Sequence, residues 1–84
     1  MIIKVLGPGC TNCKTLEKRT QEAVASLGIG AMVEKVTDVM KIATYGILRT
    51  PGLVIDEKVV SYGRVPTVQE IKEMILANSP KAQS

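Results

Sequence analysis

The chain has 84 residues, a formal net charge of +3 and no histidine, phenylalanine or tryptophan. That length suits one small domain, and with only Tyr45 and Tyr62 as aromatics it has little with which to stack on nucleic-acid bases. The missing histidine removes the usual general base, the usual pH switch and the commonest nitrogen ligand for zinc.

Ile2 to Leu6 is a short apolar, β-branched run broken sharply by Gly7-Pro8-Gly9, which reads as a buried strand. It is too short for the apolar region of a secretion signal, and no stretch approaches a membrane span, so a cytoplasmic location is expected. A helix follows. Cys13, Leu16, Thr20, Ala23, Val24 and Leu27 recur at three- and four-residue spacing and share its inner face, while Lys14, Glu17, Lys18, Arg19, Gln21 and Glu22 fall mostly outside it. Gly28 is a left-handed stop.

Ala31 to Val36 is a second strand interrupted by Glu34 and Lys35. Thr37 or Asp38 caps a short helix running to about Tyr45, closed by Gly46. Leu53 to Ile55 and Lys58 to Tyr62 read as a hairpin turned at Asp56-Glu57. Thr67-x-x-Glu70 is a capping box, and Val68, Ile71, Ile75 and Leu76 are assigned to the inner face of a last helix. Tyr45 and Tyr62 are read as packing residues. The expected domain is 1–78, with a flexible tail over 79–84. The order β-α-β-α-β-β-α is α/β, and its first βαβ unit requires a parallel pair with a right-handed crossover.

Chemistry concentrates at Cys10-Thr11-Asn12-Cys13. The loop delivers Cys10 to a helix N-terminus, where free N–H groups and the positive end of the helix dipole favour a thiolate. Thiol pKa values in such settings fall from about 8.5 to roughly 3.5–7.5. One helical turn brings Cys13 under Cys10. Cys10 is then the exposed nucleophile and Cys13 the thiol that resolves a mixed disulfide. Two buried, inert cysteines are the plain alternative, weak for Cys10 in its loop and better for Cys13.

A soft-metal module using the same two thiolates, for Cu(I) or zinc, is the main rival. A structural zinc site needs four ligands, and two copies of the pair would be required for an iron–sulfur cluster. Heavy-metal domains run β-α-β-β-α-β and carry a Met two positions before the first cysteine, where this chain has Pro8. No metal ligand set and no cofactor is assigned. A third reading keeps the fold and uses it only to bind.

Gly7-Pro8-Gly9-Cys10-Thr11-Asn12-Cys13, Tyr45-Gly46-Ile47, Thr50-Pro51-Gly52-Leu53-Val54-Ile55 and Gly63-Arg64-Val65-Pro66 together resemble the thioredoxin superfamily. The closest likeness is to its small thioredoxin/glutaredoxin-like redox-active disulfide proteins, over Ile2 to about Ala77. The resemblance implies a minimal thioredoxin-like fold: a mixed four-stranded sheet in the order 2-1-3-4 with helices on both faces. It implies thiol–disulfide oxidoreductase activity and a cis Thr50-Pro51 bond facing the cysteines. The Thr50 backbone would hydrogen-bond an extended substrate segment, and Gly63 would line the same groove with Pro8, Gly9, Thr11 and Asn12. The expected partners are a disulfide-containing protein or small thiol substrate and a reductase or thiol electron donor. Neither nucleic acid nor membrane is expected, and the chain is expected to be a monomer. Larger members carry an aromatic before the first cysteine, a Gly-Pro spacer and a buried acid on the first strand. Here Gly9, Thr11-Asn12 and Lys4 stand in those places, so no base for Cys13 is evident.

Overall fold

A computed structural model describes residues 1–78, and the tail expected over 79–84 lies outside the described residues. The elements in chain order are β1 (Ile2–Leu6), α1 (Thr11–Leu27), β2 (Met32–Val36), α2 (Val39–Thr44), β3 (Gly52–Ile55), β4 (Lys58–Tyr62) and α3 (Val68–Ala77). The four strands form one sheet in the order β2-β1-β3-β4. β1 runs parallel to β2, while β1–β3 and β3–β4 are antiparallel. The element order is the one read from the residues, and the strand order of this mixed sheet is the one implied by the resemblance.

Alternation along the strands divides the core in two. Ile3 and Val5 of β1 and Leu53 and Ile55 of β3 face one side, against Leu16 and Ala23 of α1 and Ile71 and Ile75 of α3. Leu6 and Val54 face the other side, against Ile42 of α2, with Tyr45, Ile47 and Val59 packed around them. Central strands must therefore be apolar on both faces, which is why β1 and β3 read as nearly continuous apolar runs. Each fully buried Ile or Leu contributes about 1.5–3 kcal/mol by removing its surface from water.

Local chemistry sets the element ends. Gly28 closes α1 in the left-handed conformation (φ 65°). Asp38 caps α2 by accepting from Met40 N at 2.9 Å. Thr67 and Glu70 form a reciprocal capping box at α3: Glu70 N donates to Thr67 Oγ1 at 3.1 Å and Thr67 N to Glu70 Oε1 at 3.0 Å. The hairpin turn places Asp56 and Glu57 at φ 47° and 69°, the mirror-image turn that matches strand twist. Neither is glycine, yet both side chains are used: Asp56 Oδ1 accepts from Ile2 N at 2.8 Å, and Glu57 binds Lys4.

Two assignments change. Leu76 is 46% exposed, and Met74 flanks the core in its place, beside Val68 as expected. At 100° per residue Leu76 lies about 140° round the helix from Ile71, too far to share its face. Tyr62 is 52% exposed at the end of edge strand β4, whereas Tyr45 packs as expected. Arg19, near the cysteines in sequence, turns away from them and donates to Val65 O and Pro66 O, tying α1 to the loop before α3.

Candidate active site

The site is assembled where β1 ends. Leu6 pairs with Gly52 at the start of β3, so the Gly7-Pro8-Gly9 loop leaves the sheet beside Pro51. Gly9 takes φ 101°, a conformation open to glycine, which turns the chain into α1. Cys10 is the N-cap of α1: its carbonyl accepts the first helical bond from Lys14 N at 3.0 Å, and its Sγ accepts from Cys13 N at 3.3 Å. No acidic residue lies in the first turn, so nothing there opposes the helix dipole at the sulfur.

Cys10 and Cys13 are joined as a disulfide with Cα atoms 5.0 Å apart. The pair is asymmetric in exposure. Cys10 is exposed with Pro8, Gly9, Thr11 and Asn12 around it, while Cys13 is only 5% exposed. Such an arrangement presents one sulfur to a partner and keeps the other covered.

The remaining residues singled out in the sequence fall nearby. The Thr50–Pro51 bond is cis, Pro51 is buried and Thr50 is exposed. Gly63 N donates to Pro51 O at 2.9 Å, which holds the end of β4 against the proline. A Cβ on Gly63 would come within 3.2 Å of Arg49 Cβ, so the Arg49 side chain lies over that glycine. Arg64 is engaged by Glu70 at 2.6 Å.

Lys4 is set apart from the cysteines. Lys4 lies on the face of the sheet opposite Val5 and donates to Glu57 Oε1 at 2.5 Å and Tyr45 Oη at 3.1 Å. These bonds, Glu57 first, raise its pKa above the ordinary lysine value, so it remains a cation and supplies no base.

Sequence reasoning missed Gly7. A Cβ there would overlap Cys13 Sγ, and would lie 3.0 Å from Cys13 Cβ and 4.0 Å from Pro51 Cα. Gly7 is thus the point where the loop, the covered cysteine and the proline close on one another. Its place next to Pro8-Gly9 suggested only a turn.

Among the described residues no group of three or more His, Cys, Asp or Glu side chains is arranged to hold a metal ion. Likewise, no described helix is long and apolar enough to cross a membrane.

Comparison with known proteins agrees with this geometry. The family described as the thioredoxin domain matches residues 1–76. A protein named thioredoxin from Methanothermobacter thermautotrophicus is 41% identical over 75 residues, covering 89% of this chain and 97% of that protein. Another so named, from Methanocaldococcus jannaschii, is 41% identical over 73 residues, covering 87% of this chain and 84% of its own length. The likeness therefore spans the sheet, the cysteine loop and all three helices rather than a motif.

Proposed function

The chain belongs to the thioredoxin domain family, and from that premise we propose how its two cysteines divide the work. As a member it is a thiol–disulfide oxidoreductase, acting on disulfides in concert with reductants and carrying its redox group in its own chain. Nothing at the site favours the metal-binding alternative.

In our reading Cys10 is the nucleophile. Its thiolate attacks one sulfur of a substrate disulfide, and the other sulfur leaves as a thiolate that takes up a proton. Cys13 then attacks Cys10 Sγ, the mixed disulfide breaks, and the second substrate sulfur leaves reduced. The substrate gains two electrons and two protons, and the protein ends as the Cys10–Cys13 disulfide. The observation that carries this division is the contrast between an exposed Cys10 at the helix N-terminus and a covered Cys13 one turn below.

Pro8, Gly9, Thr11, Asn12, Thr50, Pro51 and Gly63 form the substrate groove in this reading. Its support is the exposure of Thr50, whose backbone takes no hydrogen bond among the described residues and is free to pair with an extended segment. The functional unit is 1–78, working as a monomer in the cytoplasm as an electron carrier between a thiol donor and disulfide substrates.

Substitution separates the roles. Cys10→Ser abolishes turnover of a protein disulfide. Cys13→Ser leaves a stable mixed disulfide with substrate, seen by mass. Turnover at the parent rate in Cys13→Ser would overturn the resolving role.

A further inference from the structure

Cys13 must lose a proton to attack, yet burial disfavours a thiolate and β1 provides no acid. A small cavity of about 80 Å³ lies against this cysteine, lined by Lys14 and Glu17 of α1, Lys35 of β2, Val5 of β1 and Thr37. Its volume is ample for water, which needs about 10–15 Å³ on the same measure. Glu17 stands four residues after Cys13, so the two side chains share one face of α1. Its side chain is 24% exposed, and the carboxylate pairs with Lys35 Nζ at 3.7 Å across the gap between α1 and β2.

We propose that Glu17, held at this cavity by Lys35, takes the Cys13 proton through water as Cys13 resolves the mixed disulfide. Among the cavity-lining side chains it is the one proton acceptor. Lys14 and Lys35 carry ammonium groups, which only donate, and Thr37 is a hydroxyl. Lys4, Tyr45 and Glu57 are bound to one another on the far face of the sheet. In the step, the Cys13 S–H bond breaks and its proton passes by way of water to the Glu17 carboxylate. The Cys13–Cys10 bond forms, the bond from Cys10 to the substrate sulfur breaks, and that sulfur leaves with the electron pair. Glu17 then returns its proton to solvent or to the departing thiolate.

The idea rests on Cys10 as nucleophile, and one experiment separates the two. Reduced protein is mixed with 5,5′-dithiobis(2-nitrobenzoate) in a stopped-flow instrument. The first equivalent of coloured thiolate reports attack by Cys10, and the second, independent of reagent concentration, reports resolution by Cys13. In Glu17→Gln, which keeps the size and shape of the side chain and removes its charge and basicity, the first phase is unchanged. The second slows about tenfold or more at pH 6–7. The deficit narrows steadily as pH rises, because hydroxide takes over the removal of the proton from the covered thiol. A second phase equal to wild type at pH 6–7 overturns the proposal. So does a deficit of the same size at every pH from 6 to about 10, since that marks a structural effect. A first phase retained at the wild-type rate in Cys10→Ser removes the Cys10 reading, and the proposal with it.

Discussion

Gly7 shows how much of the site hangs on one hydrogen atom. Any larger residue there would collide with the Cys13 sulfur, and the neighbouring backbone of Pro51 limits retreat. Gly7→Ala is expected to destabilise the protein by about 1–3 kcal/mol, the usual range for overpacking a closed site. A urea melt of the disulfide form measures this, and an unchanged midpoint would show that the cysteine loop yields freely. The two cysteines were legible because their spacing has few uses in a chain without histidine. Gly7 and Glu17 were not. Gly7 matters through a contact made only when the end of β1 packs beside α1. Glu17 looked like one more polar residue on the solvent side of α1, and only β2, bringing Lys35 alongside, gives it a neighbour.

At the scale of elements, the ends were more legible than the faces. Gly28, Asp38 and the Thr67–Glu70 box carry their capping chemistry in their side chains, so sequence and structure agree there. Leu76 was misplaced because a short helix offers too few turns for periodicity to settle which apolar residue faces inward. The turn at Asp56-Glu57 was legible from the two flanking apolar runs, but its long-range partners at Ile2 and Lys4 were not. α3 provides a test of this layer. Thr67→Ala should cost about 1 kcal/mol, or roughly 4–8 °C in Tm for a domain of this size. Glu70 adds a pH signature. The Thr67 backbone N–H, and then Arg64, hold its carboxyl below the ordinary value. Its stabilisation is therefore complete above the unfolded carboxylate range, about pH 5, and is lost as pH falls through the lower folded value. Glu70→Gln should start with a lower Tm at pH 7 and lose less on acidification. A parallel acid limb in both proteins would contradict the assignment.

For the molecule as a whole, the parallel β1–β2 pair followed from chain order and the handedness of crossovers. The placement of β3 beside β1 did not, since strand order depends on how α1 and α3 share one face of the sheet. The family resemblance supplied that order. The architecture has one functional consequence: it brings the end of the central strand, a helix N-terminus and the start of β3 to a single edge, and puts Cys10 there. Redox chemistry at that edge is the central claim, and equilibration in graded thiol–disulfide buffers tests it most directly, with free thiols alkylated and the states counted by mass. The expected result is a single two-electron transition between dithiol and Cys10–Cys13 disulfide, with a midpoint between about −120 and −270 mV. Two independent thiol losses, or no intramolecular disulfide under oxidising ratios, would contradict it.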